Sequence, residues 1–380
     1  MTRPHPSIHG GALRGTVTLP EIRALTGLRG IAALIVVWFH MKDALAQRGL
    51  EIHVPLVLER LFFNGGHSVD VFFVLSGFIL ALTYRHWFGE GISAEHYWKF
   101  MRRRFARIYP LHFVLLLSVA SFVGVAHVWG LSTMHGLDRF DFATLPQYLF
   151  LVQAWGPFLD GIGEWNPPAW SISIEVLAYA VLPALAWISV REARRRWILV
   201  AAAAGIGFYC NWLTPWSTCG FAGVSRGLTE FAFGVVSINL LTGGVARWLQ
   251  TTLGSCASLA GLLIACSAVE DTGFVVAFFT LPLLISLCAQ NAAARLFSWG
   301  PLHYLGEISY SIYLGHFLFT AIIWRLLSAA WVNGSAASIA VSFVIANLLV
   351  IAFASLTYFA IERPGRKLLR HQKLSVPRHA

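Results

Sequence analysis

Apolar runs long enough to span a bilayer recur from one end of this chain to the other. They lie near 23–41, 66–84, 108–130, 169–189, 197–214, 225–242, 253–269, 273–289, 302–327 and 337–361. About 20 apolar residues in a helix cross the roughly 30 Å of hydrocarbon. In the absence of water, only helices and closed barrels satisfy the backbone there. Runs of this length predict an all-α, polytopic membrane protein of about ten transmembrane helices. Composition agrees. Of the 380 residues, 57% are hydrophobic and 12% charged, against about 25% charged in a typical soluble domain, and mean hydropathy is +0.65. The first 22 residues contain no apolar core followed by a cleavage site, so no signal peptide is expected. The five cysteines (Cys210, Cys219, Cys256, Cys266 and Cys288) have neither metal-ligand spacing nor a disulfide pattern. They read as small apolar packers, and no metal site is predicted.

The net charge of +10 is explained by topology rather than by a nucleic-acid partner. Lys and Arg concentrate in "KFMRRRFAR" (99–107), "REARRR" (191–196) and "RPGRKLLRHQK" (363–373). Ten spans put all three clusters and the N-terminus on one side, the cytoplasm by the positive-inside rule. The weaker stretch "FATLPQYLFLVQAW" (142–155) decides the count, because a crossing there would put "REARRR" outside. It is therefore assigned to an external loop, 130–168, that can enter the membrane as a re-entrant segment. The organisation expected is a cytoplasmic N-terminal segment (1–22), a transmembrane domain (23–362) and a basic cytoplasmic tail (363–380). No internal repeat is evident, which disfavours an inverted-repeat transporter.

The first span, "RALTGLRGIAALIVVWFH" (23–40), carries Arg29 inside it and ends on His40. A charged residue in a span costs roughly 2.5–3.5 kcal/mol on insertion scales. Eleven residues at 100° each bring the two side chains to within about 20° of one face, roughly 16 Å apart along the axis. Arg29 then lies in the inner half and His40 in the outer half, facing a common cavity. The bland alternative is a snorkelling arginine and an interfacial histidine. His40 is the candidate general base, since an imidazole accepts a proton near neutral pH.

That opening resembles the signature of the acyltransferase-3 family of membrane O-acyltransferases. The resemblance continues through "HSVDVFFVLSGFIL" (67–80), "RRRFARIYP" (102–110), "NPPAWSISIEVLAYAVLP" (166–183), "LGEISYSIYLGHF" (305–317) and "IERP" (361–364), in order, over essentially the whole chain. It implies an acyl-CoA-dependent O-acyltransferase, most simply an O-acetyltransferase. Such an enzyme moves an acyl group from cytoplasmic acyl-CoA to a hydroxyl of a cell-surface or exported glycan. A lipid-linked precursor or secondary metabolite is the alternative acceptor. A transporter without acyl transfer is the reading from another class. The resemblance also implies the bacterial cytoplasmic (inner) membrane with both termini cytoplasmic. Acyl-CoA serves as co-substrate and no cofactor is held permanently. The chain reads as stand-alone, without a fused extracytoplasmic domain, and is compatible with a homo-oligomer.

Arg103, Arg104 and Arg107 fit the family's arginine pattern, and guanidinium forks suit the phosphates of coenzyme A; Arg29 joins them as donor-binding. The alternative is a positive-inside anchor, which is the reading for Arg102. Asp70, at the outer start of the second span, either orients the His40 imidazole or caps its helix. "GHSVD" superficially matches a nucleophile elbow but ends in Asp70 rather than Gly, so no serine triad is expected. Ser76 and Gly77 permit close helix contact. Glu175 lies within the fourth span and needs an interior partner; the family's frequent second glutamate is Val176 here. Together His40, Asp70 and Glu175 form the expected catalytic set. Asn166 either contacts the acceptor or makes a turn. Arg226 and Glu230, four apart, form an intrahelical pair or line the outer cavity. Ser309, Tyr313 and His316 share one face of the ninth span, with Tyr313 and His316 as substrate-side candidates. Glu362 is expected to pair with nearby arginines, and Pro364 to end the last helix.

Overall fold

A computed structural model describes residues 21–46, 56–130, 140–156, 165–191, 220–268, 273–330 and 335–371, with short helical pieces between 198 and 209. The described residues form helices and connecting turns, with no strand. In chain order the helices are α1 (Arg23–Ala46), α2 (Leu56–Phe63), α3 (Ser68–Phe88), α4 (Ala94–Val128), α5 (Leu145–Leu149), α6 (Ala169–Arg191) and α7 (Gly220–Ser237). There follow α8 (Gly244–Leu249), α9 (Thr252–Ala268), α10 (Gly273–Leu287), α11 (Ala292–Phe297), α12 (Gly300–Glu307), α13 (Ser309–Ala330), α14 (Ala336–Thr357) and α15 (Arg363–His371). Five stretches are individually long and apolar enough to cross a membrane: Arg23–Lys42, Gly65–Phe88, Ala94–Val128, Ala169–Val190 and Ala337–Leu369. The chain is an all-α integral membrane protein. The span expected at 197–214 lies largely outside the described residues.

Helix directions follow from which residues meet. α1 runs parallel to α13, because Arg29 meets Ser309 while His40 meets His316. α4 is parallel to α13 as well: Tyr310 bonds the Ile108 carbonyl and Leu318 packs near Leu116. α3 parallels α7 through Asp70–Arg226 and the contact of Gly77 with Phe231. α6 parallels α7 through Ile174 on Gly227 and Leu185 on the Ala232–Phe233 pair. In a ten-span order α1, α4 and α13 are the first, third and ninth crossings, and α3, α6 and α7 the second, fourth and sixth. Each parallel pair thus has crossings of equal parity, as that order requires.

Three expectations are corrected. The third span was placed at 108–130, but α4 begins at Ala94, with the Ser93 hydroxyl accepting from the His96 amide. Its 35 residues extend about 52 Å at 1.5 Å per residue, well beyond the hydrocarbon, so its arginines lie within one continuous helix rather than before it. The ninth span, expected near 302–327, is divided at Ile308 into α12 and α13. Pro364 does not end the last helix. A π-helical turn, Tyr358–Glu362, carries α14 into α15, and Pro364 falls in the first turn after it, where a missing amide donor costs little.

The stretch 142–155 does not cross. It folds into a 3-10 turn (Phe142–Thr144) and the five-residue α5, anchored by the buried Trp165, whose indole donates to Thr144 Oγ1 at 3.0 Å. The close contact expected at Gly77 is present. A Cβ there would collide with the Phe231 carbonyl, and one on Gly234 with the Val74 carbonyl. The two glycines let α3 and α7 touch backbone to backbone, the packing that helps helices associate in lipid.

Candidate active site

A cavity of about 770 Å³, its mouth included, lies where α1, α3, α4, α6 and α13 meet. Its polar wall carries three guanidinium groups (Arg29, Arg104 and Arg107), the Glu175 carboxylate and the side chains of Ser76, Tyr179, Ser309, Tyr310 and Tyr313. Phe72, Leu75, Ile79 and Ile108 supply an apolar part. Residues far apart in sequence therefore converge, with three cations around one acid.

Local structure explains each placement. Arg29 projects from the middle of α1 onto the break between α12 and α13. Its Nη2 donates to the Gly306 carbonyl at 2.7 Å and its Nε to Ser309 Oγ at 2.9 Å. A helix end leaves carbonyls without intrahelical donors, so the arginine and the break satisfy each other. Arg104 and Arg107 are three apart on α4 and share the cavity face. Arg104 lies 5.5 Å above the Tyr179 ring, and its buried Nε has no hydrogen-bond acceptor among the described residues. Arg103 is rotated away, its guanidinium carbon 4.9 Å from the Trp87 ring centre, and is absent from the cavity wall. The expected arginine trio is thus divided, with Arg29 in place of Arg103 beside the other two. Glu175 has the interior partners its burial demands: Ser76 Oγ and Tyr179 Oη donate to its Oε1 at 2.9 and 2.6 Å.

His40 does not line this cavity. It lies on the same side of an unbroken α1 as Arg29, with its ring centre 5.2 Å from that of His316 and 5.6 Å from Phe317. His316 is fully buried and its Nδ1 is 2.7 Å from the Tyr313 carbonyl oxygen. Tyr313, between this pair and the cavity, meets the Ser171 hydroxyl at 2.7 Å and packs against Phe72. The common cavity expected of Arg29 and His40 is thus interrupted by an aromatic layer.

Asp70 engages a different imidazole from the one expected. Its Oδ2 lies 2.9 Å from His67 Nδ1, and its Oδ1 accepts from Arg226, with Nε at 2.8 Å. Arg226 also reaches Glu230 at 3.5 Å along its own helix, the pair the spacing implied. Asp70, His67 and Glu230 are all buried, and Gly273 at the start of α10 leaves room for the Asp70 carboxylate. These residues knit α3, α7 and α10 together, and none lines the cavity. Asn166 is also buried, its amide donating to the Leu314 carbonyl at 3.1 Å. Glu362 pairs with Arg366 and accepts from Ser311 at 2.7 Å.

The family profile described as an acyltransferase domain matches residues 22–358. The chain belongs to the acyltransferase-3 family. Among similar members, the acyltransferase MdmB of Streptomyces mycarofaciens is 30% identical, over 93% of this chain and 94% of its own. The peptidoglycan O-acetyltransferase OatA of Listeria monocytogenes is 24% identical over 91% of this chain and 56% of its own length. Nodulation protein 10 of Rhizobium leguminosarum is 24% identical over 87% of this chain and 88% of its own. No solved structure matches. Family membership makes the chain an acyltransferase and sets aside the transporter reading.

Sequence reasoning assigns Tyr179 of this acyltransferase a packing and hydrogen-bonding role, which its bond to Glu175 matches, but leaves His67 and Tyr310 without one. The His67–Asp70 spacing of three on a helix was a usable signal. Tyr310 gave none, because a tyrosine in an apolar span is ordinary packing until the rest of the fold is placed beside it.

Proposed function

We propose that this acyltransferase moves an acyl group, most simply acetyl, from cytoplasmic acyl-CoA to a hydroxyl of a cell-surface or exported glycan, from the bacterial cytoplasmic membrane. The observation that carries the reading is the convergence of Arg29, Arg104 and Arg107 on one cavity whose remaining wall is largely apolar and aromatic. Guanidinium forks bind phosphate bidentately, and the uncommitted Arg104 Nε is a donor ready for such an anion. The apolar wall suits the pantetheine arm. In this orientation the arginine end faces the cytoplasm, and the donor thioester extends past Tyr313 toward His40. His40 takes the acceptor hydroxyl proton as the oxygen attacks the thioester carbonyl. The C–O bond forms, the C–S bond breaks, and the proton on His40 passes to the departing thiolate. Glu175 holds the arginine cluster in register and offsets part of its charge.

The similarity to OatA, a peptidoglycan O-acetyltransferase, supports a glycan hydroxyl as acceptor. The test uses purified protein in lipid nanodiscs with acetyl-CoA, alone and with envelope glycan or lipid fractions. The expected result is free CoA thiol together with acetyl on the glycan. Acetyl on the lipid fraction would move the acceptor to a lipid-linked precursor. Failure to bind or turn over any acyl-CoA would overturn the donor assignment.

A further inference from the structure

Resting on acyl-CoA as the donor, we infer that Arg366 reads the 3′-phosphate of coenzyme A. It thereby selects acyl-CoA over an acyl thioester carried on phosphopantetheine alone. Glu362, in the π-helical turn before α15, is fully buried and accepts from Ser311 at 2.7 Å. Its other oxygen pairs with Arg366 Nη2. That pair leaves Arg366 Nε buried with no hydrogen-bond acceptor among the described residues, the same condition as Arg104 Nε. A Cβ on Gly365 would collide with the Pro110 side chain, so α15 lies flush on α4, one turn from Arg107. Arg366 is near enough to Arg107, Arg104 and Arg29 for their charges to repel its own. Its side chain remains 23% exposed, so a ligand can reach it.

Two orphaned donors among mutually repelling cations call for an anion. Glu175 and Glu362 are the acids set among the four arginines. Glu21, beyond Arg29, is more than half exposed and engaged by Thr26 and His303. The cluster therefore keeps an excess of positive charge, and buried charge without a partner is costly. A buried N–H without an acceptor adds its own desolvation cost. A phosphate monoester carries about 1.5 to 2 negative charges at neutral pH and three acceptor oxygens, which meet both needs. Position decides which phosphate. Arg29, Arg104 and Arg107 line the cavity beside the apolar wall that suits the pantetheine arm, so they take the diphosphate joined to that arm. Arg366 flanks the cavity without lining it. The 3′-phosphate branches from the ribose, off the line of the pantetheine–diphosphate chain, and so falls to the flanking cation. Glu362 holds the guanidinium by Nη2 and leaves Nε to donate to a phosphate oxygen.

Calorimetry on the full chain in lipid nanodiscs compares CoA with 3′-dephospho-CoA, with no turnover needed. Wild type should bind CoA about tenfold or more tightly than dephospho-CoA, the loss expected for charged hydrogen bonds. Arg366→Gln should bind the two ligands within about two-fold of each other, and its affinity for dephospho-CoA should stay within about two-fold of wild type. Arg366→Gln also strands the buried Glu362 carboxylate, so the double variant Glu362→Gln/Arg366→Gln repeats the test with that acid removed. It should lose the preference as well. Lys367→Gln removes the same charge from an exposed neighbour and should keep the wild-type preference. Three results would overturn the inference while leaving the donor reading in place. They are a wild type that binds both ligands equally, a folded Arg366 variant that keeps the preference or weakens both ligands alike, and an equal loss of preference in Lys367→Gln. Wild-type protein that binds neither ligand would remove the donor reading, and the inference with it.

Discussion

The guanidinium of Arg29 and the carbonyl of Gly306, 277 residues apart in sequence, meet at 2.7 Å. The bond couples the first helix to the break between α12 and α13 and holds a positive charge on the cavity wall. It connects fold to chemistry, since the residue that stabilises the broken helix also faces the space assigned to the donor.

Arg29→Ala should therefore affect stability and donor binding together. The Gly306 carbonyl and Ser309 hydroxyl lose a charged donor, a change of about 1.5–3 kcal/mol. Thermal unfolding in detergent should show the loss, and acetyl-CoA affinity should fall in parallel. Arg29→Lys should recover part of the stability, because an ammonium reaches one acceptor but not both. A variant with unchanged melting and affinity would remove Arg29 from both roles.

Arg103 and Arg104 are adjacent in sequence and should behave differently. Arg104 borders the cavity, whereas Arg103 covers the Trp87 ring. Arg104→Ala should weaken acetyl-CoA binding by about tenfold or more, at roughly 1.5–3 kcal/mol per charged hydrogen bond, and reduce its salt dependence. Arg103→Ala should leave affinity within about two-fold. Equal losses at the two positions, measured by calorimetry over a range of salt, would return the cluster to a non-specific anchoring role.

Asp70 and Arg226 form a buried pair whose single disruption should be costly. Removing either partner leaves the other its second neighbour, His67 for Asp70 and Glu230 for Arg226, so the cost should approach but not exceed the roughly 3–5 kcal/mol of a fully stranded buried charge. Asp70→Asn and Arg226→Leu should each lower stability, and the double variant should be less destabilised than the sum. Gly273→Val offers a steric check, since a side chain there meets the Asp70 carboxylate. Additive losses in the double-mutant cycle would show that the two groups do not act as a pair.

Glu175→Gln should separate charge from packing. The amide oxygen still accepts from Ser76 and Tyr179, so stability should stay within about 1 kcal/mol. The three arginines lose their one neighbouring acid on the cavity wall, so the acetyl-CoA KM or kcat should change by at least about tenfold. Wild-type kinetics in Glu175→Gln would mean that the carboxylate serves packing alone.

Much of this protein was set by sequence. Runs of about 20 apolar residues dictate membrane-spanning helices, because an unsatisfied backbone in lipid is too costly to tolerate. The helical period put Arg29 and His40 on one side of α1, and that helix is unbroken through Gly30. The i,i+4 spacing gave the Arg226–Glu230 contact, and Gly77 marked the tight crossing with α7. Tertiary packing decided the rest. Spacing puts Arg104 and Arg107 on one face of α4, but that this face, and not the one carrying Arg103, meets the cavity is decided by how α4 packs. Which imidazole meets Asp70, and that His40 meets His316, depends on how α1, α3 and α13 come together. Periodicity reports the direction of a side chain about its own axis, while the partner in that direction is determined by the relative placement of helices hundreds of residues apart. The break at Ile308 has the same origin: its local residues would continue a helix, and the arginine that satisfies the freed Gly306 carbonyl comes from the opposite end of the chain.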